Sequence, residues 1–478
     1  MAAGTGPDPV TASTTHSDAH VPAYAFDGNM ETRWASAQGS KEADWLMVDL
    51  GTACQMDGIV VAWEAAFAKS YEVQLSDDGS SWRTVFKRTD GTGGKETCAF
   101  AGQRARFLRI HFLAHGPHPL ASIHEVSFTH PDARGALENL HLAIAAGEQA
   151  RNAALKDALR NNGVHEVVFA LRKFHPDGHW YANIGYYAKD ASKKLFLPFG
   201  QLCKLDTESG KTSILLDDPE GGVRDPVIDY DARKILFSYR KGGTENYHLH
   251  EINLDGSGLR QLTSGPRDDI EPAYLPDGGI IFVSTRCNRW VNCWATQVAT
   301  LYRCDADGTN IRQLSANLEQ DNTPCVLPNG QILYQRWEYV DRSQVDYHHL
   351  WTMNPDGTGQ MVYYGNQRSP GLYIDARPIP GSDDVLMIHS PGHGSTEHAG
   401  HVALVTGRYG PDAPGALRNI TPHANFRDPY PLDQNNYLVA QGTRILCMNL
   451  IGKAITLYTV PDELAKQGYQ PEFGAREL

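Results

Sequence analysis

The chain has no apolar run approaching the ~20 residues needed to cross a bilayer. Its opening, MAAGTGPDPVTAS, has no basic region followed by an apolar stretch, so a leader of secretory type is not expected within it. Positive charge is scarce: 43 Lys and Arg against 56 Asp and Glu leave a formal charge of -13. A nucleic-acid partner, which needs a basic face, is therefore not expected. Apolar residues make up 41% of the chain and charged residues 21%, the balance of a water-soluble folded protein. What the chain has in quantity is 45 Gly, 27 Pro and 21 Tyr, which favours many short strands and tight turns over helices. Eight cysteines, an even number, are compatible with an oxidising compartment, and the expected location is extracellular or periplasmic. Cys287 with Cys293, and Cys54 with Cys98, are the candidate pairs; free buried thiols are the alternative.

Up to residue 131 the apolar positions alternate, as in Leu46, Val48 and Leu50, then Ile59, Val61 and Trp63, then Tyr71, Val73 and Leu75. Turn signals such as Asp57-Gly58 and Asp77-Asp78-Gly79 separate the runs, so this part predicts a β-sandwich. Ala25-Phe26-Asp27-Gly28-Asn29, Thr32-Arg33-Trp34, Trp45 to Gly51, Tyr71 to Trp82 and Ile123-His124-Glu125-Val126 follow one another in the order of the discoidin family. The region resembles that family, also called coagulation-factor type C, whose fold the family 32 carbohydrate-binding modules share. The resemblance implies a jelly roll and a structural Ca²⁺ held by Asp27, Asn29, Thr32 and Glu125, hard oxygen ligands suited to that ion. The alternative for Asp27 and Asn29 is turn hydrogen bonding alone. Phe67, His115 and His118 are weak candidates for sugar contact.

From 132 to 163 the period becomes helical, with Leu137, Leu140, Ile144, Leu155 and Leu159 among strong helix formers and Asn162-Gly163 as a stop signal. This predicts a short helical connector. From 164 to 478 the sequence repeats. Leu254-Asp255-Gly256-Ser257-Gly258-Leu259-Arg260-Gln261-Leu262 returns as Ala306-Asp307-Gly308-Thr309-Asn310-Ile311-Arg312-Gln313-Leu314, and Leu275-Pro276-Asp277-Gly278 as Leu327-Pro328-Asn329-Gly330. A period of about 50 residues is that of a four-stranded propeller blade. Blade starts near Val167, Pro226, Pro272, Pro324, Pro378 and Pro429 predict a six-bladed β-propeller, and the whole chain is predicted to be all-β. The repeat resembles the TolB-type propellers. The stretches Arg286 to Trp294 and Tyr347 to Gly357 resemble more closely the propeller of the hydrazine synthase alpha subunit. That subunit carries haem through Cys-x-x-Cys-His, a motif absent here, so no haem is expected.

In a propeller the turns before the innermost strands converge on the axis. Those positions carry Arg224, Asp225, Glu271, Asp375, Arg377 and Arg427, and the following strand ends add Arg240, Arg286 and Arg336. Asp225, Glu271 and Asp375, with Arg336, His348 and His349, are the catalytic candidates; Arg224, Arg240, Arg286, Arg377 and Arg427 are the substrate-binding ones. The competing reading is that each acid caps its turn and pairs with a neighbouring arginine. His389, His393, His398 and His401, four histidines within thirteen residues, form a candidate cage for Zn²⁺ or Mn²⁺, with a polar loop as the alternative. Together these features predict a carbohydrate-active enzyme acting on a polysaccharide by metal-assisted elimination or by hydrolysis at the propeller mouth. The alternative is a non-catalytic glycan- or protein-binding scaffold. Nothing in the sequence sets the oligomeric state.

Overall fold

The computed structural model describes residues 8–17, 20–39, 44–174, 186–187, 190–194, 196–342, 346–368, 371–391 and 399–473. They fall into two compact units, residues 1–151 and 152–478, divided within one long helix, Pro131–Asn161. In the first unit two long strands, Trp45–Trp63 and Lys95–His115, run antiparallel and form the spine of a seven-stranded sheet. Register shifts between Asp49 and Cys54, and between Met56 and Gly58, let these strands bend and serve both layers of a jelly roll. Alternation puts Leu46, Val48, Ile59, Val61, Tyr71, Val73, Leu75, Leu108 and Ile110 on one buried face, closed by Trp34 and Phe112 stacked at 5.7 Å.

The connector is one continuous helix. Its first turns place Ala133, Ala136 and Leu137 in the jelly-roll core, and its last place Leu155 and Leu159 against Val167, Phe169 and Leu438 of the second unit. Between them Leu142 is 69% exposed, as the sparse apolar spacing there requires.

The second unit is a propeller of six four-stranded blades. Blades 2 to 6 begin with the inner strands Gly222–Ile228, Asp269–Tyr274, Asp321–Val326, Leu372–Pro378 and Phe426–Pro431. A single parallel bridge, His348 to Leu372, joins blades 4 and 5 into one sheet. Blade 1 differs from the sequence expectation. Val167 lies on its second strand, Glu166–Lys173, while the inner strand is Tyr469–Glu472 from the end of the chain, paired with register Tyr469 to Lys173. The ring is thus closed by hydrogen bonds between the two termini of the propeller, which no local signal announces.

Every inner strand of blades 2 to 6 is interrupted at the same place. The pairing register shifts across Asp225-Pro226, Glu271-Pro272, Thr323-Pro324, Asp375-Ala376 and Asp428-Pro429. In four of the five, proline has no N–H to give the ladder, and in all five the first residue of the pair takes a left-handed conformation, with φ of 54°, 50°, 50°, 51° and 49° in turn. In blade 5 the bulge sits at Asp375-Ala376 rather than at Pro378, with alanine standing where the other blades have proline. All eight cysteines are free; Cys54 lies opposite Ala105 and Cys98 opposite Ile59, so the two do not face each other.

Candidate functional site

The five bulges turn their left-handed residues toward the axis, around a cavity of ≈ 50 Å³. Arg224, Asp225, Glu271, Asp375, Arg377 and Arg427 all line it, as does Asp428. The sequence reading missed Arg172, Thr323 and Glu472, which line it too. Arg172 and Glu472 belong to blade 1, whose inner strand was not legible. Thr323 occupies the place of an acid in its blade, and comparing the repeats position by position finds it.

The acids form a relay from blade to blade. Glu472 Oε1 accepts the backbone N–H of Asp225 at 2.9 Å, Asp225 Oδ2 accepts that of Glu271 at 2.9 Å, and Glu271 Oε2 accepts that of Thr323 at 2.6 Å. Arg224 bridges two of the acids, with Nε 2.8 Å from Asp225 and Nη2 3.4 Å from Glu271, and Arg172 pairs with Glu472. Burial raises the Asp225 carboxyl above its ordinary value; Arg224 opposes this and the facing Glu472 carboxyl adds to it. Arg427 donates to Gln470 Oε1 and to the carbonyl of Gly442, and Arg377 to the carbonyl of Pro324. These groups are therefore held as inter-blade staples. A space of ≈ 50 Å³ admits a few waters at roughly 10–15 Å³ each and falls well short of the ~300 Å³ at which small-molecule sites begin.

The other arginines stand apart, at the end of the propeller where the inner strands begin. Arg286 and Arg336 each grip the first residue of their blade's inner strand, Asp269 at 2.9 and 2.6 Å and Asp321 at 2.8 and 3.0 Å. Arg240 donates to the carbonyls of Gly221 at 2.9 Å and Leu197 at 3.0 Å. His348 and His349 are fully buried inside blade 4, the first stacked on Trp337 at 4.9 Å, the second 3.5 Å from Glu338. His389 and His401 are cross-strand neighbours with rings 6.2 Å apart, their Nδ1 atoms on Asn419 Oδ1 and the carbonyl of Thr421. His393 and His398 lie outside the described residues. Among the described residues no three His, Cys, Asp or Glu side chains gather as a metal cage.

In the jelly roll, Gly28 takes φ +75° and folds the Asp27 turn back on itself. Asp27 accepts the Asn29 N–H at 2.9 Å and the Thr32 hydroxyl at 2.8 Å, and Glu125 Oε2 accepts the Gly28 N–H at 3.0 Å. Burial pushes the Glu125 carboxyl up to about 8, with Asp27 adding to the rise. The Asp27 carboxylate on an exposed turn and the half-buried Glu125 carboxylate converge among oxygen donors, which suits a hard divalent cation that would favour their charged forms. Asp27, Asn29, Thr32 and Glu125 fit Ca²⁺ on this ground. A second gathering joins residues 64–67, 91–94 and 115–122. Gly116 N–H donates to the carbonyl of Phe67 at 2.9 Å, the Phe67 ring packs on Gly93 and Gly116, and Arg33 Nη1 reaches Ser122 Oγ at 2.8 Å and Glu64 at 3.6 Å. The sequence reading named Phe67, His115 and His118 here; it missed Arg33 and Glu64, which no local spacing brings together.

The N-terminal region, residues 9–126, is an F5/8 type C domain. It is similar to chitosan-binding module 1 of a chitosanase/glucanase from Paenibacillus sp. IK-5, 34% identical over 25% of this chain and 91% of that one, with a TM-score of 0.24. A polysaccharide lyase 8 family protein, HylA, from Enterococcus faecalis is 33% identical over 88 residues, 18% of this chain and only 6% of that protein. Hydrazine synthase from Kuenenia stuttgartiensis has a TM-score of 0.52 at 19% identity, over 64% of this chain and 46% of that one. This last likeness is one of fold, and it agrees with the propeller of the second unit.

Proposed function

We propose that the chain is a polysaccharide-recognition protein working outside the cytoplasm, with its saccharide site at the end of the jelly roll formed by residues 64–67, 91–94 and 115–122. The observation that carries this reading is the F5/8 type C domain itself, with a charged pair, Arg33 and Glu64, set beside Phe67 and His115 at one loop end. Guanidinium and carboxylate supply donors and acceptors for sugar hydroxyls, and an aromatic edge supplies an apolar contact. Ca²⁺ at Asp27, Asn29, Thr32 and Glu125 would hold the neighbouring turn rigid without touching the sugar.

The way two of the axial acids are held supports recognition. A hydrolase needs two carboxylates free to face a glycosidic bond, whereas Asp225 and Glu271 are bound to backbone amides around a cavity of ≈ 50 Å³. The test is affinity electrophoresis of the full chain in gels containing chitosan, uronate-containing or neutral polysaccharides. Retardation by at least one of them is expected, reduced about tenfold or more in affinity by Arg33→Ala, on the scale of losing a charge-assisted hydrogen bond. No retardation by any of them refutes the reading. New ultraviolet absorbance on incubation would instead establish elimination, and new reducing ends alone hydrolysis.

A further inference from the structure

Where the inner strands of the propeller begin, the loop after the second strand of blade 3, residues 285–299, meets the segment leading into blade 4, residues 314–320. Gln320 clamps the far end of the loop, its Oε1 accepting the Ala299 N–H at 2.6 Å and its Nε2 donating to the Gln297 carbonyl at 2.9 Å. Arg289, near the other end, donates to the Asn317 carbonyl. The loop's inner side is apolar. Val291 and Val298 are buried in one cluster with Trp337 of blade 4 and Leu372 of blade 5, and Cys287 and Trp294 pack against it. Its outer side leaves Trp290 45% exposed and Cys293 exposed.

Glu319 lies between the two clamps. It is 1% exposed, and no side chain donates a hydrogen bond to its carboxyl, which the backbone N–H of Asn292 approaches. The groups that face it from the loop are the Arg289 guanidinium, the Cys293 thiol and the backbone N–H of Asn292. Its own segment offers only the uncharged Asn317 and Gln320. Burial costs the carboxylate more than one backbone N–H and the Arg289 charge return, so the neutral acid is the favoured form. Burial accordingly holds this carboxyl up to about 7, against the opposing pull of Asn292 and Arg289.

We propose that residues 288–298 are a proton-controlled cover over this end of the propeller, closed while Glu319 carries its proton and released when that proton passes to solvent. The sign follows from the raised value in the closed form. The closed state is fully favoured at acid pH and is lost as pH rises through neutrality. Hydrogen exchange of the full chain, followed by mass spectrometry and corrected for the intrinsic pH dependence of exchange, should show protection of loop amides falling about tenfold between pH 6 and 8. In Glu319→Gln, a neutral mimic, that protection should be the same at both pH values, while exchange in blade 2 and the jelly roll stays as in the wild type. A second readout needs no variant. Alkylation of Cys287 in the wild-type chain, corrected for thiolate fraction, should accelerate over the same range. Wild-type loop protection that does not change with pH, the same fall in Glu319→Gln, or Cys287 labelling that follows thiolate fraction alone would each overturn the proposal.

Discussion

Removing the Glu472 carboxylate probes the step by which the ring closes. In Glu472→Ala, the Arg172 guanidinium, only 8% exposed, loses its ion pair with Glu472, and the Asp225 amide loses its acceptor. Breaking a buried ion pair from one side costs about 3–5 kcal/mol. The orphaned amide alone would cost ~1–3 kcal/mol, but it shares the same acid, so the larger figure stands for both. With a urea dependence of roughly 2–3 kcal/mol per molar, the propeller transition should fall by about 1–2 M. Urea melts followed by circular dichroism would read this, with the jelly-roll transition as internal reference because Glu472 belongs to the other unit. Glu472→Gln keeps an acceptor for the amide and removes the carboxyl facing Asp225, so its loss should be smaller. It should also change the response to pH. The raised value of Asp225 means that its contribution is full below the unfolded value of about 3.9 and is lost as pH rises through the folded one. A facing amide lowers that folded value, so the loss between acid and neutral pH should shrink in Glu472→Gln. A Glu472→Ala midpoint within 0.2 M of wild type, a shift on the order of 0.5 kcal/mol, would show that the staple contributes nothing and refute the reasoning.

Chelation should expose the cation site. Adding EGTA should lower the unfolding temperature of the jelly roll by several degrees and Ca²⁺ should restore it, while Asp27→Ala and Glu125→Ala should make the two conditions coincide, as scanning calorimetry would show. In blade 5, Ala376→Pro places proline where four sibling bulges already have it, and should stabilise the propeller by about 0.4–1 kcal/mol in urea melts. Destabilisation instead would mean that the Ala376 N–H has a partner the other bulges lack.

The repeat carried most of the second unit. Asp-Gly turns and Pro-turn-strand units at a regular period predicted the blades, because each turn needs a left-handed residue that few side chains supply; Gly256, Gly308 and Gly357 take φ of +85°, +87° and +88°. The axial acids and arginines were legible for the same reason, since equivalent positions in a radial repeat must converge. Their employment was not. Whether Glu271 faces a ligand or the amide of Thr323 depends on how far one bulge stands from the next, a distance between residues 52 apart in sequence. The histidines show the opposite failure. Tyr347-His348-His349 is chemically conspicuous in sequence, yet the strand sends its two imidazoles to opposite faces and both faces are buried, one imidazole against Trp337 and one toward Glu338.

The sequence by itself determined two β architectures, an intervening helix, an acidic surface and the cast of charged residues at the axis, because periodicity, turn chemistry and repetition are local. Tertiary structure decided the closure of blade 1 by Tyr469–Glu472, the commitment of Asp225 and Glu271 to neighbouring backbones, and the burial of Glu319 beneath the blade 3 loop. Each of these depends on segments distant in the chain meeting at hydrogen-bond range, and on water being excluded where they meet. Only the packed fold sets either condition.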